Sequence, residues 1–260
     1  MGTTGRTPAI FVGHGSPMNA IEENEFTAGW LSLANAFAKP RAVLCVSAHW
    51  ETRGIAVTAA ERPGTIHDFR GFPPELGAVQ YPAPGDPELA RAVAELLAPR
   101  PVRLDAQRGL DHGAWSVLRK MYPEADVPLV QLGMDTSRPA REHRELARAL
   151  RPLRDEGVLV LGSGNLVHDL AHIEFERDGG TDWAERFDRT AVERIRAGDL
   201  DALVEYSTLG PDALRSVPTP EHYLPLLYVL ALRDAGEPVS ITNDRVTLGT
   251  ISMTCVMVGS

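Results

Sequence analysis

The sequence predicts an α/β fold: three layers, α/β/α, around a central mixed, mostly parallel sheet that ends in a C-terminal antiparallel hairpin. Three observations predict it. Continuous apolar runs at residues 9–12, 41–47 and 157–161 suit strands buried on both faces. Segments with helical apolar spacing alternate with them. The last two strand-like runs, 238–242 and 246–258, are joined by Asn243-Asp244, turn chemistry that implies a hairpin.

Residues 9–12 run directly into Gly13-His14-Gly15. Phe26, Trp30, Leu31, Leu33, Ala34 and Phe37 then mark a helix over 25–38, with Pro40 just beyond it. With the strand at 41–47 this reads as one βαβ unit. Residues 54–59 read as a strand. Residues 61–84, rich in Pro and Gly and holding Phe69, Phe72 and Tyr81, read as a long ordered loop. Asp86 as N-cap and Pro87 at the first helical position open a helix that runs to 98.

A strand at 102–104, a helix at 114–121, a strand at 128–133 and a helix at 138–153 continue the alternation. The strand at 157–161 leads into Gly162-Ser163-Gly164, read as a turn. Residues 183–197 and 200–206 form an acidic helical segment. Thr219 and Pro220 open a helix over 220–234. No repeat, low-complexity segment or composition break marks a linker, so residues 1–260 are expected to form a single domain.

The net charge is −9 and no block of Lys or Arg occurs, which argues against nucleic acid and anionic membranes as partners. Cys45 and Cys255 lack metal or redox spacing and sit in apolar runs, as buried small hydrophobes do. Residues 1–8 show no signal-like apolar core, and the apolar run at 224–232 is too short for a bilayer. The cytoplasm is the expected compartment. No heptad or long exposed apolar face bears on oligomeric state.

Four histidines stand where an element stops or starts. His14 and His49 each follow an apolar strand, His168 follows the Gly-Ser-Gly segment, and His222 falls in the first turn of the 220–234 helix. Strand C-termini of an open α/β sheet face the ligand crevice. Imidazoles gathered there can bind a metal and move protons. Small neighbours (Gly13, Gly15, Ser47, Ala48) leave room for an ion and a ligand. The plainer reading is four separate loop histidines bonded to backbone; two equivalent strand ends favour the site. His112 precedes another helix and would line the same crevice. His67 is placed at the substrate, His143 in solvent, and His172 in packing or capping. GxSxG, HExxH and GxGxxG patterns do not occur.

Six stretches carry a family resemblance: Phe11-Val12-Gly13-His14-Gly15-Ser16-Pro17, Val46-Ser47-Ala48-His49-Trp50, Leu110-Asp111-His112-Gly113-Ala114-Trp115-Ser116, the run from Tyr122 to Pro128, Gly162-Ser163-Gly164 with Asn165 and His168, and Glu221-His222-Tyr223-Leu224-Pro225-Leu226. In these, in this order, the chain resembles the class III extradiol ring-cleavage dioxygenases, in their 4,5-DOPA extradiol dioxygenase-like group. The resemblance implies a single catalytic domain over residues 1–260 and a non-haem metal held by His14, His49 and His222. It implies His168 as acid and base and His112 as a second polar contact to the substrate. Glu221 beside His222 leaves a carboxylate third ligand open, although neighbouring helical residues point about 100° apart and both would not ligate.

Three nitrogens on an octahedral ion leave three positions, enough for the vicinal oxygens of a catechol and for O2. The implied reaction is cleavage of a carbon–carbon bond beside the two hydroxyls, with Fe(II) for activity. Zn(II) suits the same imidazoles but cannot exchange electrons with oxygen. Two other readings stand beside this one: a zinc-dependent hydrolase on a similar frame, and a non-catalytic metal-binding relative. Within the 61–84 loop, His67, Phe69, Arg70 and Phe72 are the expected specificity wall, with Arg70 placed to meet a substrate carboxylate or, more plainly, water.

Overall fold

The computed structural model describes residues 6–135 and 137–259; the first five residues of the segment read as lacking a signal core lie outside it. Among the described residues eleven strands form: β1 (Ala9–Gly13), β2 (Ala42–Ser47), β3 (Glu51–Thr52), β4 (Ile55–Thr58), β5 (Val102–Asp105), β6 (Leu129–Asp135), β7 (Val158–Gly164), β8 (Val239–Thr242), β9 (Val246–Thr247), β10 (Ile251–Ser252) and β11 (Cys255–Val258). The main sheet runs β5-β4-β6-β2-β7-β1-β11-β8, with β3 beside β6. Its centre, β6-β2-β7-β1, is parallel, while β4 on β6, β11 on β1 and β8 on β11 are antiparallel. The expected mixed, mostly parallel sheet is the one observed.

Alternate residues of the central strands feed two cores. Phe11, Leu44 and Val160 pack with Leu146, Phe187 and Leu227, from the helices Ala140–Ala149, Asp182–Ala197 and Leu224–Leu230. Ile10, Val43 and Leu159 pack on the other face with Trp30 of Glu25–Asn35 and with Trp115 and Leu118 of His112–Met121. Both faces of each strand are dry, which is why these runs are uniformly apolar. Asp86 caps the helix Pro87–Leu96 through the Leu89 amide, as its sequence signature predicts.

The structure departs from the sequence reading at six places. The 138–153 helix is two, Ala140–Ala149 and Pro152–Asp155, because Pro152 cannot donate into a continuous helix. The second half of the acidic segment is a helix only over Leu200–Val204, followed by a 3-10 turn at Tyr206–Thr208. The helix expected from 220 starts at Leu224, with Pro225 in its first turn. Thr219 does not cap it, since its hydroxyl bonds Glu221. Gly162-Ser163-Gly164 is the end of β7, not a turn. The C-terminal antiparallel pair is present, but β8 meets β11 across an excursion through residues 243–254 that folds β9 on β10. His143 is buried against the Tyr228 hydroxyl rather than solvated.

Asp188 is a buried carboxyl under that excursion, held by the hydroxyls of Ser252 and Thr254. Burial pushes its pKa up to about 6, against the pull of those hydroxyls. A folded-state pKa above the unfolded one means the folded protein binds the proton more tightly. Stability therefore falls as pH rises from about 4 to about 6, by about 3 kcal/mol, and stays lower above. Asp188→Asn is expected to flatten that window and to raise the melting temperature at pH 8 relative to wild type. Thermal melts at pH 5 and pH 8 check this; a variant that loses more stability at pH 8 than at pH 5 would refute it.

Candidate active site

Glycines let the histidine-bearing segments converge. A Cβ at Gly164 would collide with the His222 carbonyl, one at Gly162 with the Pro225 carbonyl, and one at Gly113 with the His49 ring and the Ser47 hydroxyl. The Gly-Ser-Gly end of β7 thus admits the backbone of the Glu221–Tyr223 turn. That turn is tied down by the Asn165 amide, which donates to the His222 carbonyl at 2.9 Å. His14 leaves β1 with its amide on the Gly164 carbonyl at 3.0 Å. His49 turns back at the end of β2, its amide on the Ser47 hydroxyl. His112 is the first residue of a helix capped by the buried Asp111.

All five expected residues, His14, His49, His112, His168 and His222, line one cavity of about 590 Å³. Ring centres of His14, His49 and His222 lie 5.0, 5.3 and 5.1 Å apart, a nearly equilateral triangle. His168 stacks flat on His222, 3.5 Å between centres and 10° between planes. His112 lies 3.9 Å from His49 and 6.0 Å from His14. Ligand atoms of His14, His49 and His112 cluster closely enough for an ion, as do those of His168, Glu221 and His222.

Each triangle member turns its Nδ1 outward to a polar neighbour, by a hydrogen bond in His14 and His222 and by a longer approach in His49. Ser163 donates its hydroxyl proton to the Gly113 carbonyl and accepts from His14 Nδ1 at 2.9 Å. Glu221 accepts from His222 Nδ1 at 3.1 Å, and Asp68 sits 3.6 Å from His49 Nδ1. Protons on Nδ1 leave the lone pairs on Nε2. His14 and His49 then face each other Nε2 to Nε2 at 3.2 Å, and the buried His222 Nε2 has no hydrogen-bond partner among the described residues. Two facing lone pairs repel unless a cation lies between them, so the donor set fits a metal ion.

Burial is the main reason these imidazoles stay neutral. It holds His14 and His222 well below the ordinary histidine range, with the neighbouring rings adding to the effect. Burial, aided by His112 and opposed by Asp68, takes His49 down to about 3. Burial lowers His168 to about 4 against the pull of Glu221 and Asp169. Asp68, which burial alone would push up, is brought down to about 2 by His112, whose ring and amide both donate to it.

Asp68 and Ser163 had no sequence signal; their roles exist only once the loop and β7 meet the histidines. Glu221 orients His222 through Nδ1, a role that adjacency in sequence did not distinguish from ligation. Of the expected specificity wall, Phe69, Arg70 and Phe72 line the cavity, together with Leu170, Ile173, Phe175, Leu248 and Ile251. His67 does not: its ring bonds the Val79 carbonyl within its own loop. His172 bonds Asp169.

Comparison with known proteins agrees with this picture. The family described as the catalytic LigB subunit of aromatic ring-opening dioxygenase matches residues 8–258. A 4,5-DOPA dioxygenase extradiol of Escherichia coli K12 is 48% identical over 98% of this chain and 95% of its own length. The 4,5-DOPA dioxygenase extradiol of Beta vulgaris is 41% identical over 88% of this chain and 87% of its own. The crystal structure of an uncharacterised protein of Escherichia coli K12 superposes with a TM-score of 0.84 at 43% identity, covering 98% of this chain and 100% of that one.

Proposed function

This chain belongs to the LigB family of aromatic ring-opening dioxygenases and is an extradiol ring-cleaving dioxygenase; we propose that it opens catechols at an Fe(II) ion held by His14, His49 and His222. His168 is the acid and base, and His112 the second polar contact to the substrate. The observation that carries the ligand set is the triangle. Three imidazoles on one ion through Nε2 at about 2.1 Å put their ring centres about 4.6 to 5.3 Å apart, which is the observed spacing. Two parallel rings 3.5 Å apart cannot both contain one ion in their planes, so His168 and His222 take different roles.

An iron held by His14, His49 and His222 would supply Lewis acidity toward the substrate hydroxyl and the electron exchange that O2 chemistry needs. The protein does the rest. His168, neutral and with a ring that makes no hydrogen bond among the described residues, takes the proton released by the substrate and returns it as the ring opens. His112 has its Nδ1 proton on Asp68 at 2.9 Å, so its Nε2 accepts from a hydroxyl. Phe69, Ile173, Leu248 and Ile251 offer the ring an apolar slot.

A zinc hydrolase is not favoured, since the relatives named above are dioxygenases. In this reading residues 1–260 act as one catalytic domain, supported by a sheet that draws strands from residue 9 to residue 258. The two free, buried cysteines suit a cytoplasmic setting. No described helix is long and apolar enough to cross a membrane.

Anaerobically prepared protein loaded with Fe(II) is expected to convert catechols in air to yellow semialdehydes, and to leave resorcinol untouched. The same protein loaded with Zn(II) is expected to be silent. Equal turnover with either metal, or none with iron in place, contradicts the proposal.

A further inference from the structure

Asp188 lies outside the histidine cavity, yet it is tied to it. It sits on the helix Asp182–Ala197 with its carboxyl buried. Its Oδ1 accepts from the Ser252 hydroxyl at 2.5 Å, and both oxygens accept from Thr254 Oγ1, at 3.1 and 3.2 Å. Burying an ionised carboxyl costs stability that an apolar side chain would keep, so its presence points to another use. The segment it holds, residues 250–254, supplies one.

That segment runs antiparallel to the stretch that carries His168. Ile251 pairs with His168 itself and lines the cavity. The Ser252 amide donates to the Val167 carbonyl at 3.0 Å, and the Asp169 amide to the Thr250 carbonyl at 3.3 Å. The Thr250 hydroxyl donates to the Asp169 carbonyl, and the Asn165 side-chain amide to the Ser252 carbonyl. On its other side the His168 amide donates to the Ser216 carbonyl at 2.9 Å. The segment also accepts the Gly13 amide through Thr254, but His14 has its own bond to Gly164 of β7, and the His222 carbonyl has one from Asn165. His168 is the histidine that depends most on residues 250–254.

We propose that Asp188 is a positioning residue for ring cleavage: by holding residues 250–254 it keeps His168 stacked on His222, in reach of the substrate. Without an acceptor for the Ser252 and Thr254 hydroxyls, two buried donors are left unpaired. The segment then shifts to find partners, and the His168 backbone shifts with it. A proton carrier displaced by about 1 Å loses much of its worth, while the three metal ligands keep their places.

The proposal rests on the reading of His168 as acid and base, so its test is a double-mutant cycle between the two residues. Iron content, KM and kcat for 4-methylcatechol are measured on the Fe(II) protein in wild type, Asp188→Leu, Asp188→Asn, His168→Ala and the Leu/Ala double variant. Asp188→Leu is expected to lower kcat by about 10- to 100-fold and to keep KM and the iron. Asp188→Asn, which still offers an acceptor oxygen, is expected to restore most of kcat. In the His168→Ala background, Asp188→Leu is expected to cost little more. In the metal-free protein, hydrogen exchange over residues 165–170 and 250–254 should quicken in Asp188→Leu and stay slow in β2. If Asp188→Leu does not fold, Ser252→Ala cuts the same link from the other end, and the same pattern is expected at smaller size. Unchanged kcat in the folded variants, an equal loss with and without His168, or loss of iron along with kcat overturns the role of Asp188. Wild-type kcat in His168→Ala overturns the reading of His168 instead.

Discussion

His222→Ala is expected to lose the metal and ring cleavage together, while Glu221→Gln keeps both at reduced strength. The two residues are adjacent, and either side chain is chemically able to ligate. The geometry separates them. His222 Nε2 is buried, unpartnered and part of the triangle, whereas the Glu221 carboxylate accepts from His222 Nδ1 at 3.1 Å. Glu221 is therefore the group that turns the imidazole toward the ion. Loss of such an orienting partner costs about 10- to 100-fold in metal affinity, and loss of the ligand itself should cost more. Metal content after gel filtration, measured beside a melting curve to show that the fold persists, checks both variants. Retained iron in His222→Ala and loss in Glu221→Gln would reverse the assignment.

His168→Ala is expected to bind one metal per chain as wild type does and to lose turnover by about 10²- to 10⁴-fold, the usual worth of a positioned acid–base group. The ring of His168 lies parallel to that of His222, so it cannot share the ion, yet it lines the same cavity. Burial keeps it neutral and ready to accept. kcat should collapse while the anaerobic affinity for catechol changes little. Loss of metal in this variant would make His168 a ligand; unchanged kcat would leave the proton without its carrier.

Much of this site was legible because strand ends are legible. Uniform apolar runs mark β1 and β2, and the first histidine past each, His14 and His49, is a candidate from the sequence alone. His222 is a candidate from its place near an element start, and its ligand role comes from the family resemblance, but its local setting differs from the expected one. Thr219-Pro220 looked like a helix start, and the real start waits for Pro225, so His222 sits on a turn whose backbone β7 holds. The Gly-Ser-Gly segment was misread for a related reason. Glycine in sequence signals either a turn or a close approach of chains, and only the packing of the 221–223 turn on β7 decides between them. Asp68 and Ser163 were invisible because an orienting hydrogen bond requires a partner distant in sequence. The connection from β8 to β11 was read as a two-residue turn because Asn243 does turn the chain, with φ +50°; it leads into β9 rather than back along β8.

The most direct test of the central claim is the mass of the product formed from 4-methylcatechol by the Fe(II) protein under ¹⁸O2. Extradiol cleavage at this histidine site predicts a ring-opened semialdehyde that gains both atoms of dioxygen, with the carboxylate label kept and the aldehyde label exchanging slowly with water. A quinone with no added oxygen, or an opened product whose new oxygens come only from water, would contradict it.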